Sequence, residues 1–568
     1  MIGADALLKS LENQGVTEIF SYPGGSVLPI FDRMPHSNIR RILVRHEQAA
    51  AFAAAGVSRS TQKVGVCLAT SGPGATNLIT GIADAKLDSI PMVAITGNVF
   101  KNLIGSDAFQ EVDMVGICES IVKHAYFVED VEDLPRIITE AFYLAASGRP
   151  GPVLIDIPKC VQAGEVSAEL VKKIERNELF EMHLPGYFHE MSSDISQEIK
   201  SIELIKKAQK PVVIFGHGVV LSNAEKELKD FLDKTGIPSV WTLHGIGAYD
   251  GNKDLSLGML GMHGTAAANF AVHHADLIIG IGIRFDDRIT GVIKEFERQA
   301  KIIHFDIDPS EFGKNVKTDV RVCGQIASTL PLITKALPKN SSNNWKDWQK
   351  TLIEKKQKWP IDGRKKGKLT EISVIEELYK KIDQDDVVVA DVGQHEMWLA
   401  QRFIGKKSRK FLASGGLGTM GFSLPTAMGA AFSGHKVWSI SGDGGIQMNI
   451  QELVTLVQDK IPVKILILNN GYLGMVRQWQ ELFYDKNYVD TPLFNPDFQK
   501  IGEAYGIPSF RAQTQEETQD VLEKMKNYND GPILCEFVVE REENLFPMVP
   551  AGKSLGETLL NKEESIED

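Results

Sequence analysis

Short runs of apolar, β-branched residues recur along the whole chain, each followed by a glycine-containing turn and a helical pattern. Runs such as VGVCLAT from Val64, PVVIFG from Pro211 and VKILILNN from Val463 are apolar at nearly every position, which is typical of strands covered on both faces. Strands that alternate with helices in this way form doubly wound parallel α/β sheets. The chain has 568 residues, and at roughly 150 residues per domain this length predicts three or four such units.

Two polar stretches divide the chain into three α/β domains. Residues 166–195 show no period that would bury a face, and residues 338–370 are too hydrophilic for a core, although part of them fits a helix. We therefore predict domains over residues 1–165, 196–337 and 371–544, each of ordinary size, and a C-terminal tail over residues 545–568. No short tandem repeat is visible, and the sequence leaves open whether the first and third domains are remote copies of one fold.

Composition excludes several classes of protein. The chain carries 62 Lys and Arg against 74 Asp and Glu, a net charge of −12, so it lacks the basic surplus of a nucleic-acid-binding protein. Its five cysteines form no CxxC pair, which favours a reduced, cytoplasmic setting. The longest uncharged run, residues 411–434, is rich in glycine and contains Pro425, so we interpret it as a buried loop and helix rather than a membrane span. The N-terminus lacks the layout of a signal peptide, and a processed organellar form stays an alternative.

The third domain contains the most informative pair of motifs. In SISGDGGIQMNIQEL, a strand ends at Ser441, Gly442 and Gly444 allow a ligand to approach the backbone, and Asp443 offers a carboxylate; Asn470 ends the next strand in ILILNN. Both sites are expected at the carboxyl edge of the sheet, where ligands bind. A carboxylate, an amide oxygen and a loop carbonyl suit Mg²⁺. For an isolated GDG, the alternative interpretation is an ordinary turn.

The first domain offers a carboxylate at a corresponding edge. In IRRILVRHEQAAAFAAAG, a strand leads into a helix at Glu47. By itself, such a glutamate is equally explained by its favourable charge at a helix N-terminus.

Together, GDG and NN resemble the thiamin diphosphate motif. The resemblance implies that Asp443, Asn470 and the backbone carbonyl of Tyr472 hold Mg²⁺. It also implies that Gln394 and His395, in DVGQHEMW, contact the diphosphate of the cofactor.

The same resemblance gives roles to two further residues. Glu47 becomes the carboxyl group that lies against the pyrimidine ring and activates the cofactor. Met420, in SGGLGTMGF, becomes the bulky apolar residue that holds the cofactor bent, whereas a plain core methionine is the alternative. In such families the activating glutamate and the metal site come from different subunits, so the resemblance implies that a dimer is the minimum active unit.

Over nearly its whole length the chain resembles the catalytic subunits of acetohydroxyacid synthase, also called acetolactate synthase. The resemblance rests on segments in the expected order, which are YPGGSVLPIFD, RHEQAAAFAAAG, TSGPGATNL, DAFQE, GMLGMHGT, RFDDRITG, HFDIDPSE, SGGLGTMGF and GMVRQWQELFY. It implies decarboxylation of pyruvate and carboligation to a second 2-oxoacid. The products are 2-acetolactate from pyruvate and 2-aceto-2-hydroxybutanoate from 2-oxobutanoate, in the first common step of branched-chain amino-acid biosynthesis.

Two residues bear on the acceptor. By resemblance to the anabolic enzymes, Trp479 packs against the extra methyl of 2-oxobutanoate, and Arg288 pairs with the acceptor carboxylate through charge-assisted bonds. The alternatives are an aromatic core residue for Trp479 and a surface ion pair with Asp286 or Asp287 for Arg288.

By the same resemblance, RFDDRITG implies that the central domain binds FAD, because the catabolic acetolactate synthases lack both this motif and FAD. A glycine-containing turn in FGHGV would receive the flavin pyrophosphate, and HFDID would reach the adenosine end, although FGHGV alone is a weak signal. The expected FAD-binding residues are Arg284, Phe285, Asp286, Arg288, Gly216, Gly218 and Asp306.

Four residues of the first domain complete the expected site. Gly25 would offer an N–H to the developing alkoxide, Gln110 would hold the intermediate, Phe109 would contact substrate, and Lys159 would lie near the channel. Each also has an ordinary structural explanation. The tail over residues 545–568 resembles a mobile cover that excludes water.

The resemblance further implies a homodimer or dimer of dimers and a separate small regulatory subunit. Within enzymes, a catabolic acetolactate synthase or a pyruvate oxidase-type relative is the alternative. From other classes, a non-catalytic homologue or a Rossmann dehydrogenase is disfavoured. Glu47, Asp443, Asn470 and Met420 are all present, and no strand leads into a GxGxxG turn.

Overall fold

The computed structural model of the protein describes residues 1–187, 194–296, 300–338, 345–361 and 368–566. Within these ranges the strands form three six-stranded sheets, and every pairing between neighbouring strands is parallel. The predicted fold class, three doubly wound parallel α/β sheets, is confirmed.

The first sheet contains the N-terminal strands and is surrounded by helices. Its strands are β1 (Glu18–Ser21), β2 (Arg40–Leu43), β3 (Gly65–Ala69), β4 (Met92–Asn98), β5 (His124–Phe127) and β6 (Pro152–Pro158). The helices are α1 (Gly3–Asn13), α2 (Leu28–Arg33), α3 (Glu47–Thr61), α4 (Pro73–Thr76), α5 (Ile79–Leu87), α6 (Met114–Cys118), α7 (Leu134–Ala146), α8 (Lys159–Ala163) and α9 (Ala168–Glu175).

The central sheet follows the first connector. Its strands are β7 (Pro211–Phe215), β8 (Ser239–Trp241), β9 (Ser256–Met259), β10 (Leu277–Ile281), β11 (Lys301–Asp306) and β12 (Val320–Cys323). The helices are α10 (Ile195–Lys207), α11 (His217–Leu221), α12 (Glu225–Thr235), α13 (Ala266–His273), α14 (Asp287–Thr290), α15 (Ile293–Phe296), α16 (Ile326–Ala336) and α17 (Lys346–Lys358).

The third sheet lies in the C-terminal part of the chain. Its strands are β13 (Val387–Ala390), β14 (Phe411–Leu412), β15 (Val437–Gly442), β16 (Val463–Asn469), β17 (Ser509–Ala512) and β18 (Ile533–Val538). The helices are α18 (Glu371–Lys381), α19 (Gln394–Arg402), α20 (Ser423–Ala430), α21 (Asp443–Ile446), α22 (Glu452–Gln458), α23 (Gly474–Phe483), α24 (Phe498–Ala504) and α25 (Gln515–Asn527).

The first and third sheets have the same strand order. The first runs β2-β1-β3-β4-β6-β5 and the third β14-β13-β15-β16-β18-β17, so the two orders coincide when each sheet is counted from its own first strand. In both, the order reverses between the first and third strands of the domain. Ligands of open α/β sheets bind in the crevice beyond the carboxyl ends at such a reversal.

The central sheet has a different order, β12-β11-β10-β7-β8-β9. Counted from its first strand this is 3-2-1-4-5-6, the order of dinucleotide-binding sheets. Its reversal lies between β7 and β10, which end at Phe215 and Ile281.

The first and third domains pack through α3 and α20. A Cβ built on Gly56 would lie 2.2 Å from the carbonyl oxygen of Thr426, and one built on Gly429 would lie 1.8 Å from that of Ala53. Glycine is therefore required at both positions for the helices to approach this closely. The close approach also explains why α3 is buried and rich in alanine.

Both connectors pack more tightly than their polarity predicts. In the first, α9 buries Leu170 and Ile174 on one face, next to Ala6. In the second, Trp345 and Trp348 of the α17 region are buried, and their indole N–H groups donate to the carbonyls of residues 208 and 211 at 2.9 and 3.2 Å. The expectation of connectors without a buried face was wrong, because a few apolar side chains suffice to dock a short helix.

The C-terminal tail packs on the central domain. Val549 N–H donates to the carbonyl of Met262 at 2.7 Å, and Asn269 Nδ2 donates to Thr558 Oγ1 at 3.0 Å. Leu545 is fully buried. The tail thereby connects the third sheet to the helices of the second.

The long uncharged run folds as a buried segment. It contains β14 and α20, and every residue of α20 is buried. No helix in the described ranges combines the length and the hydropathy that crossing a bilayer requires. The five cysteines carry free thiols.

Candidate active site

Glu47 begins α3 at the carboxyl edge of the first sheet. Its side chain is buried, and Oε2 accepts a hydrogen bond from Asn77 Nδ2 at 2.9 Å. A Cβ built on Gly74 would lie 3.1 Å from Oε1, so glycine leaves that oxygen room. The carboxylate is fixed through one oxygen, while the other faces a position without a side chain.

The turn that carries Glu47 is held by the third domain. Glu452 Oε1, on α22, accepts from the backbone N–H groups of Arg45 at 2.8 Å and His46 at 3.1 Å. Thr455 Oγ1 donates to the other oxygen at 2.7 Å. The entry of β2 into α3 is therefore fixed from outside its own domain.

Gly25 and Gln110 lie on loops of the same sheet. A Cβ on Gly25 would meet no atom within 4 Å, whereas one on Gly72 would lie 2.8 Å from Gln110 Cβ. Gln110 has a left-handed backbone, with φ of 61°, which a non-glycine residue adopts only when its surroundings hold it there.

Phe109 and Lys159 are the outer members of this group. The Phe109 side chain is 88% exposed, which is unusual for a large aromatic residue. Lys159 begins α8, and its Nζ lies 5.8 Å from the centroid of the Phe100 ring.

Asp443 lies where β15 ends and α21 begins. Its Oδ2 accepts from the backbone N–H of Gly471 at 3.0 Å and from Asn495 Nδ2 at 2.5 Å. Burial raises the pKa of Asp443 to about 6. A cation beside this carboxylate would offset the cost of burying its charge.

Asn470 follows the neighbouring strand β16. Its Oδ1 accepts from the N–H of Tyr472 at 2.9 Å, and its Nδ2 donates to Glu371 Oε1 at 2.7 Å. The described residues include no group of three or more His, Cys, Asp or Glu side chains placed to hold a metal. A metal at this edge would thus rely on amide and carbonyl oxygens beside Asp443, a donor set that suits Mg²⁺.

Gln394 and His395 begin α19, after β13. Gln394 Nε2 donates to Gln478 Oε1 at 2.6 Å and to the carbonyl of Glu543 at 2.9 Å, so its amide nitrogen is engaged within the protein. His395 Nε2 is buried and has no hydrogen-bond partner among the described residues. Burial lowers the pKa of His395 to about 4, which keeps the ring neutral at physiological pH.

Gly442 and Gly444 make room beside these groups. A Cβ on Gly442 would lie 3.2 Å from His395 Cε1, and one on Gly444 would lie 2.8 Å from Leu473 Cδ2 and 3.4 Å from Met420 Cε. The Met420 side chain therefore lies beside Gly444 of the GDG turn.

The Glu47 and Asp443 groups are separate within one chain. Across the described residues, no hydrogen bond joins Glu47 or Asn77 to Asp443, Asn470 or Tyr472. Each group lies at the strand-order reversal of its own sheet.

A cavity of about 640 Å³ opens at the reversal of the central sheet, and all three domains line it. A Cβ on Gly218 would lie 2.6 Å from Gly282 Cα, so the ends of β7 and β10 approach each other as bare backbone. The predicted site residues that line the cavity are Gly218, Arg284, Asp286, Arg288, Asp306 and Trp479.

Two predicted FAD-binding residues lie outside the cavity lining. Phe285 is buried in the core, where its ring packs edge-to-face against His304 at 5.0 Å between centroids. A Cβ on Gly216 would lie 2.8 Å from Thr242 Oγ1. Glycine at this position therefore permits close packing behind the cavity wall.

Arg288 and Trp479 come from different domains and line the same cavity. Arg288 lies 3.8 Å from Asp287, and both side chains are more than half exposed, so that ion pair stabilises little. The Trp479 indole nitrogen is buried and has no hydrogen-bond partner in the described part of the chain, and the side chain as a whole is half-buried.

A buried ion-pair cluster lies at the inner wall of the cavity. Arg59 Nη2 donates to Asp84 at 2.9 Å and to Asp88 at 2.8 Å, and His244 Nε2 lies 3.1 Å from Asp88. Burial opposes the charge of Asp88, but His244 and Arg59 outweigh it and hold its pKa well below its usual range. The third domain joins through Ser414 Oγ, which donates to Asp84.

Family models match part of each of the three domains. Residues 1–117 match the N-terminal TPP-binding domain of thiamine pyrophosphate enzymes, residues 199–333 the central domain, and residues 391–537 the C-terminal TPP-binding domain. The chain is 45% identical over 567 residues to the acetolactate synthase large subunit of Mycobacterium tuberculosis, covering 98% of this chain and 90% of the relative. The chain belongs to the acetolactate synthases.

Other acetolactate synthases have a similar level of sequence identity to this chain. The large subunit of Corynebacterium glutamicum is 44% identical over 566 residues, covering 98% of this chain and 89% of that protein. The chloroplastic acetolactate synthase of Arabidopsis thaliana is 43% identical over 577 residues, covering 98% and 84%. As a member of this family of enzymes, the chain uses thiamine pyrophosphate (thiamin diphosphate) as a cofactor, and the resemblance inferred from its motifs is confirmed.

Several residues of this acetolactate synthase site carry no distinctive local signal in the sequence. Asn77 lies within TSGPGATNL, and an asparagine amide can donate a hydrogen bond to a carboxylate. Asn495 and Glu452 act across long sequence separations, and only the folded chain brings them to Asp443 and to the Glu47 turn.

Proposed function

We propose that this protein is the catalytic subunit of an anabolic acetohydroxyacid synthase. It decarboxylates pyruvate and joins the two-carbon unit to pyruvate or 2-oxobutanoate, in the first common step of branched-chain amino-acid biosynthesis. The observation that carries the anabolic assignment is the single cavity lined by both Arg288 and Trp479. A guanidinium for a carboxylate and an indole for an extra methyl are the groups that such an acceptor needs.

Thiamin diphosphate supplies, when bound, an electron sink that permits loss of CO₂ from a 2-oxoacid. Residues 371–544 form the diphosphate side, where the unpartnered His395 Nε2 and the open turn at Gly442 and Gly444 suit a phosphate oxygen. Gln394 lies at the same helix start, and Met420 lies over the turn.

Residues 1–165 form the pyrimidine side. Glu47 holds a proton at the pyrimidine ring through the carboxylate oxygen that Gly74 leaves open, while Asn77 fixes the other oxygen. Gly25, in open space, offers its N–H to a developing alkoxide. Gln110 holds the reacting groups, and Phe109 and Lys159 line the approach of substrate.

Mg²⁺ is the metal that we assign to the third domain. Asp443, the Asn470 amide oxygen and the Tyr472 carbonyl hold it, and the chemistry of this donor set supports the choice. A cation held there would offset the cost of burying the Asp443 carboxylate and would supply a positive charge for the diphosphate.

FAD is the ligand that we assign to the central cavity, over residues 196–337. The 3-2-1-4-5-6 strand order and the bare backbone at Gly218 and Gly282 support a dinucleotide at this position. Asp306 lies at the adenosine end, and Arg284, Asp286 and Arg288 lie along the wall.

The active unit is a homodimer or a dimer of dimers in the cytoplasm. Glu47 of one copy then meets the Asp443 group of another, which fits the lack of a hydrogen bond between the two groups among the described residues of one chain. The exposed aromatic residues Phe109 and Phe494, at 88% and 100%, suit burial in such an interface. A separate small regulatory subunit completes the enzyme, consistent with relatives named large subunits, and the tail over residues 545–568 covers the site.

A product assay tests this function. The purified chain receives thiamin diphosphate, Mg²⁺ and FAD, with pyruvate alone and then with 2-oxobutanoate, and each cofactor is omitted in turn. We expect 2-aceto-2-hydroxybutanoate to predominate in the mixture and the rate to fall without FAD. Formation of acetolactate alone, independent of FAD, would identify a catabolic enzyme, and oxygen uptake in step with pyruvate loss would identify an oxidase.

A further inference from the structure

Glu396 is a buried acid that the proposed reaction does not use. It is the third residue of α19, only 3% exposed, and it lines the central cavity. Its Oε1 is buried and has no hydrogen-bond partner among the described residues. A buried, unpaired carboxylate is costly, so the surroundings decide which protonation state persists.

The nearest charged groups are acids. Asp391, which precedes α19, accepts hydrogen bonds from the N–H groups of Val392, Gly421 and Ser423 at 2.9–3.0 Å. Burial raises the pKa of Asp391, and the three donors offset this only in part. The charge of Asp391 in turn disfavours a charge on Glu396.

The basic groups around Glu396 already have acidic partners. Arg59 is shared by Asp84 and Asp88, and His244 lies against Asp88. Burial lowers the pKa of His217 well below its usual value, so this ring is neutral.

Farther along the cavity wall, three arginines lie beside other acids. Arg149 pairs with Asp308 and Glu311. Arg284 and Arg288 lie 3.3 and 3.8 Å from Asp286 and Asp287, respectively.

These surroundings favour the protonated form of Glu396. Burial, followed by the charges of Asp391 and Asp88, raises the pKa of Glu396 well above its usual range, although the N–H of Gly393 opposes the shift. A neutral carboxylic acid carries an O–H donor, and a buried donor needs an acceptor. The described residues supply no acceptor to Oε1, and Glu396 lines the cavity, so a ligand bound there can supply one.

We propose that Glu396 is a flavin-binding residue that acts as a neutral carboxylic acid and donates a hydrogen bond to an acceptor on the heteroaromatic ring system in the central cavity. This inference rests on the proposed FAD site. Raising the pH ionises Glu396, removes the donor and places a negative charge against that acceptor. The affinity for flavin therefore falls at alkaline pH, and a glutamine, whose amide donates at every pH, abolishes this dependence.

The test measures FAD binding to the flavin-free, full-length protein between pH 6 and pH 9, by quenching of flavin fluorescence and by the visible absorption band of bound flavin. We expect the dissociation constant of the unmodified protein to rise about tenfold or more over this range, the effect of losing one hydrogen bond. E396Q should bind with nearly constant affinity, and E396A should bind weakly throughout. The absorption band should shift with pH in the unmodified protein but not in E396Q or E396A.

A matched control is E377Q. Glu377 is a buried acid of α18 that bonds Lys380 at 2.6 Å and lies outside the cavity lining, so E377Q should keep the pH dependence of the unmodified protein. Circular dichroism checks that each variant is folded. Equal pH dependence in the unmodified protein and E396Q would overturn the role of Glu396 while leaving the flavin site intact. Absence of FAD binding to the unmodified protein at every pH would overturn the flavin site itself, and this inference with it.

Discussion

Replacing Arg59 with methionine should destabilise the protein strongly, because Arg59 is the cation of a buried cluster. Its guanidinium donates to Asp84, to Asp88 and, at 3.1 Å, to the carbonyl of Ala413, and both partner carboxylates are at most 1% exposed. Methionine keeps an apolar stem of similar length, but it loses the guanidinium that lies 5.1 Å from the centroid of the Phe422 ring. The change therefore removes the charge together with its hydrogen bonds.

The expected cost follows from the burial. Breaking a buried ion pair by removing one partner costs about 3–5 kcal/mol, a large part of an ordinary stability of roughly 5–15 kcal/mol. For a domain of this size, such a loss lowers the melting temperature by roughly 6–20 °C.

The pH dependence of the loss has a definite sign. Burial already raises the pKa of Asp84 to about 6, and removing Arg59 raises it further. An acid whose folded pKa is raised destabilises the fold as the pH rises through that value. R59M should therefore be closer to the unmodified protein at pH 5.5 than at pH 8.

Thermal unfolding at both pH values, beside R33M, tests this reasoning. Arg33 lies 3.5–3.7 Å from Asp5 and Asp32, and all three side chains are partly exposed, so R33M should cost no more than about 1 kcal/mol. Adding D84N to R59M should recover part of the loss. A melting temperature of R59M equal to that of R33M would refute the reasoning.

Three further changes test other parts of the molecule. E47Q should lower turnover by about 10²–10⁴-fold while leaving the circular dichroism unchanged, because it removes the proton-transfer group; normal turnover would exclude Glu47 from catalysis. W479L should shift the product ratio toward acetolactate by about 10–200-fold in a mixture of pyruvate and 2-oxobutanoate, and an unchanged ratio would remove Trp479 from the acceptor pocket. G429V should lower the melting temperature, since a Cβ there would lie 1.8 Å from the Ala53 carbonyl oxygen and overpacking costs about 1–3 kcal/mol; unchanged stability would mean that α3 and α20 separate freely.

The sequence predicts interior strands better than edge strands. VKILILNN was expected as a strand and contains β16, in which every residue but the last is buried. The strands β5, β9, β12, β14 and β17 were not anticipated, and each lies at an end of its sheet. An edge strand is covered less completely, so it lacks the continuous apolar run that identifies an interior strand.

Residue type and strand order explain what could be predicted of the site. Glu47, Asp443 and Asn470 stand where strands end, and parallel topology brings such ends to one edge. The buried contacts of Trp345 and Trp348 with the central domain depend on long-range packing that a polar local sequence conceals. The local sequence does not predict the burial of Glu396 either, because its neighbours in space come from α5 and from the segments that flank β13 and β14.

The helix crossing of α3 and α20 has a consequence for symmetry. Each helix connects the second strand of its domain to the third, so the two halves meet through equivalent surfaces, as the protomers of a two-fold dimer do. The glycines are reciprocal, since Gly56 faces Thr426 and Gly429 faces Ala53. One polypeptide thus contains internally a contact of the kind that two protomers make across a two-fold axis. That surface is buried within the chain, so any second copy must bind through a different face.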